Sequence, residues 1–285
     1  MHKDDTNTIY LQRAVSEIFG DEEILLDLET VSGGSINSVY ALRLANHHVF
    51  VKVNTANEAK DMFSKEIIGL NMLRENCDLV VPKVLGLATI QEASYLFLEY
   101  LPPSRKTSQY WSNLGEGLAH LHHTFHSSYG LSSNNYIGSL TQDNTQKEYW
   151  HEFFVHNRLM PMVQLAVDRG HLSVSEAMQF EGLYRKIEEL IPEETPSLLH
   201  GDLWSGNIHQ DGEGRPALID PAVYYGHREM DLSFSLLFGG FDAQFYRSYD
   251  EIFPLLSGFK ERVDIHNLYP LLVHLNLFGR SYWSQ

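Results

Sequence analysis

The apolar pattern of this chain changes period at Leu101-Pro102-Pro103-Ser104, and that change limits the folds available to it. Before the prolines the pattern mostly alternates. Residues 24–31, 37–44, 48–53, 80–88 and 95–101 read as strands of an antiparallel sheet. Helical spacing interrupts them over residues 8–19, stopped by Gly20, and over residues 58–74. Beyond the prolines helical spacing dominates, over residues 110–125, 147–169, 174–190, 230–238, 241–249 and 268–278. A loop flanked by short strands is expected between Leu198 and Asp220. Neither a sheet interior nor a helix interior accommodates Pro102-Pro103, so the boundary falls there. The expected fold class is α+β with two lobes, a sheet-built one of residues 1–101 and a mainly helical one of residues 102–285.

The carboxylates outnumber the cations, 37 to 21, giving a net charge of -16. A nucleic-acid backbone would be repelled by that field, so no nucleic-acid partner is expected. A free nucleotide is not excluded, because a few local cations, backbone N–H groups and Mg²⁺ suffice to hold its charge. The single cysteine, Cys77, cannot form an internal disulfide, which suits a reducing compartment. The start, MHKDDTNTIYLQ, lacks the apolar stretch of a secretory signal, and no apolar run is long enough to span a bilayer. A cytoplasmic protein without a membrane partner is therefore expected.

The segment His200-Gly201-Asp202-Leu203-Trp204-Ser205-Gly206-Asn207 has the spacing H-x-D-x-x-x-x-N. Phosphoryl-transfer loops use it for a chemical reason. The aspartate accepts or orients the proton of the acceptor hydroxyl, and the asparagine five residues later turns its amide oxygen to a metal. Asp202 and Asn207 fill these roles here. A second metal ligand must follow, and Asp220, at the end of the apolar run Ala217-Leu218-Ile219, is placed for it. The competing reading is a turn in which Asp202 and Asn207 merely cap the backbone.

The first lobe favours the chemical reading. Lys52 interrupts the apolar run Val49-Phe50-Val51-Lys52-Val53, where a cation needs a partner or an anionic ligand, here the phosphates of ATP. Glu66 in the following helix would aim it, with Glu58 as the alternative. The turn Ser32-Gly33-Gly34-Ser35 lets backbone N–H groups approach phosphates, although a plain hairpin would use the same residues. Neither a G-x-x-x-x-G-K-[ST] loop nor a G-x-G-x-x-G turn occurs.

The blocks LLHGDLWSGN, IDPAVYYGHREMDL and NNYIGS, with GGSIN and HLNLFG near the two ends, resemble the fructosamine kinase (ketosamine-3-kinase) family. That family belongs to the protein-kinase-like group with the aminoglycoside and choline kinases. The resemblance implies Asp202 as catalytic base and Asn207 and Asp220 as Mg²⁺ ligands. It implies Lys52 on the ATP phosphates, with Glu66 as its partner. Glu99-Tyr100-Leu101 would be the interlobe hinge that binds adenine. Trp204 would stack on the sugar-like acceptor, its alternative being a core residue that anchors the loop. The implied reaction transfers phosphate from ATP to the 3-hydroxyl of a small or protein-bound ketoamine, which destabilises the adduct and promotes deglycation. Ser35 stands near where many members carry a loop cysteine, so thiol control there is not expected. The family usually continues a little past the position of residue 285, so a terminal helix would be missing or shortened. Another small-molecule kinase of the same fold, or a nucleotide-binding scaffold, remains as an alternative.

Three features are assigned to structure. The histidines 120, 122, 123 and 126 share one expected helix without a carboxylate or cysteine at ligand spacing, so they read as packing and edge residues. Asp231, with Arg228 and Glu229, is expected to brace the catalytic loop through buried hydrogen bonds. The aromatics at 149, 150, 153 and 154 are expected to pack the helical lobe rather than line the acceptor pocket.

Overall fold

The computed structural model describes residues 3–31 and 36–283. Helix α1 (Lys3–Phe19) opens the chain. Strands β1 (Leu25–Thr30), β2 (Ser38–Leu44), β3 (His48–Asn54), β4 (Val84–Ile90) and β5 (Ala93–Glu99) form one antiparallel sheet in the order β1-β2-β3-β5-β4, with helix α2 (Ala59–Asn76) inserted after β3. The two faces of β3 diverge as its alternation requires. Val49 and Val51 pack with Leu11, Ala14 and Val15 of α1, while Phe50 packs toward the second core beneath α2. The central strand therefore presents Lys52 on its α2-facing side.

The fourth strand starts at residue 84 rather than 80, because Pro82 cannot donate to a ladder. Val80 instead bridges Ala217 in the other half of the chain.

The remainder is mainly helical. Helix α3 (Tyr110–His122) precedes the hairpin β6 (Asn135–Ile137) and β7 (Leu140–Gln142). The expected helix over 147–169 is three pieces: α4 (Trp150–Phe153), a π-helical turn (Phe154–Leu159) and α5 (Met160–Asp168). Pro161 explains the irregularity. It has no N–H for the Asn157 carbonyl, which instead accepts from Arg158 Nη1 at 3.0 Å. The helix expected over 174–190 divides into α6 (Val174–Tyr184) and α7 (Ile187–Leu190). Short strands β8 (Ser197–Leu199), β9 (Ile208–Gln210), β10 (Pro216–Leu218) and β11 (Tyr224–Gly226) follow, paired as β8 with β11 and β9 with β10. Helices α8 (Glu229–Leu236), α9 (Ala243–Ile252) and α10 (Phe259–Phe278) close the chain. The last begins nine residues earlier than the pattern suggests and carries Pro270 in its interior. Its first half is anchored electrostatically, since Arg262 donates to both carboxylate oxygens of buried Glu229.

Of the four aromatics expected to pack, Trp150, Phe153 and Phe154 lie in the core of the helical half, whereas Tyr149 is exposed. No helix among the described residues is long and apolar enough to cross a membrane.

Candidate active site

The loop from His200 to Asn207 joins β8 to β9, and buried polar contacts hold it from behind. Asp231, at the start of α8, accepts from the amides of His200 (2.7 Å) and Gly201 (2.9 Å). His122 of α3 touches the same carboxylate at 3.3 Å, and its other ring nitrogen meets the Tyr249 hydroxyl at 2.8 Å. Asp231 thus braces the loop as expected, and His122 supports it. Arg228 and Glu229 do not share that task. Arg228 clamps Glu194 and the carbonyls of Phe253 and Pro254, while Glu229 holds Arg262 and His266. Of the other histidines, His123 bonds the Ala119 carbonyl and His126 stacks on Tyr225.

Gly201 is required by geometry. Its φ is +82°, and an added Cβ would lie 2.0 Å from the Ala222 carbonyl oxygen. The contact is close because loop and following segment are laced together. His200 Nε2 lies 2.9 Å from the Ile219 carbonyl, Ile219 N–H donates to the Asn207 carbonyl at 3.1 Å, and Ala222 N–H donates to the His200 carbonyl at 2.9 Å. Burial holds the His200 ring below its ordinary pKa despite nearby Asp231, so it is neutral, with Nε2 as donor.

Asn207 Nδ2 donates to the Asp202 carboxylate at 2.7 Å and to the Asp202 carbonyl at 2.9 Å. That uses the amide nitrogen and leaves the amide oxygen as an acceptor. Burial pushes the Asp202 carboxyl up to about 7, Asn207 working against that rise and the Asp220 and Asp231 charges adding to it.

Asp220 follows β10 with a φ of +55°, a left-handed conformation that is costly for a side chain, and it precedes Pro221, which disfavours helical geometry there. Its Oδ1 lies 2.5 Å from Lys52 Nζ, and Lys52 also lies 2.5 Å from Glu66 Oε1. Lys52 is only 3% exposed. Burial works against its charge, but the Asp220 and Glu66 carboxylates outweigh that penalty and raise its pKa. Glu66, and not Glu58, is the partner on α2. Gly69 of α2 faces Pro221 and Val223, which seats the helix against the segment that follows Asp220.

A cavity of about 610 Å³ gathers these groups. Lys52, Glu66, Asp202, Asn207 and Asp220 all line it. So do Trp204, Phe238, His274, Phe278 and Tyr282, which make an aromatic wall. Trp204 meets Phe238 edge to face with ring centroids 6.0 Å apart, and Phe238 has a left-handed backbone (φ +54°). Trp204 is partly exposed to the cavity rather than sunk in the core. Asn135, Tyr136 and Gly138 of the β6–β7 hairpin complete the wall. Reasoning from spacing missed these hairpin and α10 residues, although the NNYIGS and HLNLFG blocks carried the signal.

Glu99, Tyr100 and Leu101 do not line this cavity. Glu99 accepts from the Lys83 amide, Tyr100 stacks on His48 at 3.8 Å, and the Leu101 carbonyl lies 3.3 Å from His209 Nε2. Gly33, Gly34 and Ser35 fall outside the described residues.

This geometry agrees with comparisons to known proteins. Residues 9–285 match the fructosamine kinase family model. An Enterococcus faecium protein named "Probable ketoamine kinase" is 37% identical over 257 residues, covering 90% of this chain and 91% of that protein. The chloroplastic protein-ribulosamine 3-kinase of Oryza sativa is 36% identical over 265 residues, covering 90% of this chain and 75% of its own. A Haemophilus somnus crystal structure, provisionally named a fructosamine-3-kinase, superposes with a TM-score of 0.84 at 30% identity, over 97% of this chain and 92% of that one. An aminoglycoside phosphotransferase, solved with AMP-PNP and hygromycin B, shares the fold at a TM-score of 0.61 and 16% identity, over 93% of this chain and 90% of its own. The fold is the bilobal protein-kinase-like one, and the chain belongs to the fructosamine kinase family.

Proposed function

We propose that this protein transfers the γ-phosphoryl group of ATP to the 3-hydroxyl of a ketoamine, a fructosamine or ribulosamine adduct, and so promotes its deglycation. One observation carries the reading. A buried lysine paired with two carboxylates and an aspartate–asparagine pair face the same cavity. The names of the relatives from E. faecium and rice support the acceptor class.

The roles follow from position. Lys52 holds phosphate oxygens, and Glu66 keeps its ammonium on the cavity side of the sheet. Asp202 receives the hydrogen bond of the acceptor hydroxyl and takes its proton as the bond to phosphorus forms. Trp204 offers a ring face to the acceptor. The backbone of Glu99, Tyr100 and Leu101 is the proposed adenine contact, and the turn at Gly33, Gly34 and Ser35 the proposed phosphate cover. The division of labour places residues 1–101 on the nucleotide and residues 102–285 on the acceptor.

The donor set suits Mg²⁺. Asn207 keeps its amide oxygen free of Asp202, and Asp220 bonds Lys52 through one oxygen and keeps the other, giving two hard oxygen donors on one cavity. Bound there, Mg²⁺ would neutralise charge on the phosphates.

An acceptor that is itself strongly cationic, such as an aminoglycoside, is not favoured by the cavity. Among the described residues its acidic side chains are Glu66, Asp202 and Asp220, all given to phosphoryl transfer in this reading, and the rest of the acceptor wall is largely aromatic.

The test is ADP release with Mg·ATP and fructosyl- or ribulosyl-lysine, with phosphorus NMR to locate the new ester. Acceptor-dependent ADP release and a C3 phosphate are expected. Release only with an aminoglycoside or choline, or with no acceptor at all, would overturn the reading.

A further inference from the structure

The NNYIGS segment is unexplained by the catalytic roles above, yet its side chains touch both halves of the molecule. Asn134 accepts from the Asn144 amide, and Asn135 donates to the Val223 carbonyl at 2.8 Å while accepting from Gln142 and Asn144. The hairpin is thereby fixed to the segment between Asp220 and β11. At its tip Gly138 (φ +59°) approaches so closely that an added Cβ would lie 2.8 Å from Leu277 and 3.0 Å from Ile36. Between these anchors, the Tyr136 hydroxyl donates to Asp61 Oδ2 at 2.8 Å, across to α2.

Asp61 lies in the first turn of α2, five residues before Glu66, or about 7.5 Å along the axis. Met62, Phe63, Lys65 and Glu66 of the same helix line the cavity. A roll of α2 that broke the Tyr136–Asp61 contact would therefore also carry Glu66 away from Lys52.

We infer that Tyr136 is a positioning residue for the nucleotide site, its hydroxyl holding α2 so that Glu66 can aim Lys52. The inference rests on the kinase reading. It differs from the reading suggested by Tyr136's place on the cavity wall, in which the hydroxyl serves the acceptor directly.

Tyr136→Phe keeps the ring and removes the donor. Asp61→Ala removes the acceptor from an exposed position that does not line the cavity. Each is expected to weaken Mg·AMP-PNP binding, measured by calorimetry, about 5-fold, as befits one solvent-exposed hydrogen bond. The acceptor KM should stay within about 2-fold, the double variant should be no weaker than either single one, and Asp61→Asn, which retains a carbonyl acceptor, should restore most of the affinity. Unchanged nucleotide affinity in Tyr136→Phe would overturn the inference. So would a raised acceptor KM in Tyr136→Phe with Asp61→Ala like the unsubstituted protein. Failure of the unsubstituted protein to bind Mg·AMP-PNP or to consume ATP would instead overturn the kinase reading on which it rests.

Discussion

The two sides of the cavity handle buried charge in opposite ways. On the nucleotide side one cation, Lys52, sits between two carboxylates at 2.5 Å each and stays charged because they outweigh its burial. On the acceptor side Asp202 has an amide for a partner and no cation, and its carboxyl rises to about 7. A group that must hold phosphate needs a permanent charge. A group that must take a proton near neutrality needs an affinity matched to it. Under the proposed roles Lys52 meets the first need and Asp202 the second, and the difference comes from their neighbours.

Breaking the acceptor side should have the largest effect. Asp202→Asn is expected to lower kcat about 10³-fold, read by ADP release, with the protein still folded. The same variant sharpens the electrostatic contrast. Because the folded pKa of Asp202 lies above its ordinary value of 3.8, the folded state holds the extra proton, and this group's contribution to stability is lost as pH rises toward 7 and beyond. Urea unfolding at pH 5 and pH 8 should show that loss, on the order of 2 kcal/mol after allowing for water in the cavity, and the Asn variant should lack it.

On the nucleotide side, Lys52→Met leaves Glu66 and Asp220 facing each other without the cation. It should abolish Mg·AMP-PNP binding and cost about 2 kcal/mol in urea unfolding, moderated because the Asp220 side chain is 46% exposed. Adding Glu66→Gln should recover part of the stability and none of the binding.

Trp204→Ala should have a smaller effect than either of these, with an acceptor KM raised about 10-fold and nucleotide affinity kept within about 2-fold. A loss of nucleotide affinity as large as the loss for the acceptor would show that the ring anchors the loop instead.

The groups proposed to act on phosphate were legible because that chemistry fixes both type and spacing. Asp202 and Asn207 are five residues apart, Asp220 ends an apolar run, and Lys52 interrupts another. The strands of the sheet were legible for the same reason, with alternation in β3 placing Lys52 opposite Val49 and Val51. What stayed hidden depends on contacts between distant segments. Tyr136 and Asp61 are 75 residues apart, and His122 and Asp231 are 109 apart. No periodicity announces such pairs. The helical half was over-simplified where a local event breaks a good pattern, as at Pro161, or where a buried ion pair sustains a poor one, as Glu229 does for the start of α10.

The lacing between residues 200–207 and 219–222 has a mechanical meaning. Three hydrogen bonds and a glycine without room for a methyl group make the proposed proton acceptor and the proposed metal ligand parts of one rigid gauge. Its jaw width is set before either substrate arrives. Lys52 meets this gauge from the sheet side through Asp220 alone, so under the proposed roles the spacing between proton acceptor and metal ligand does not depend on how the sheet sits.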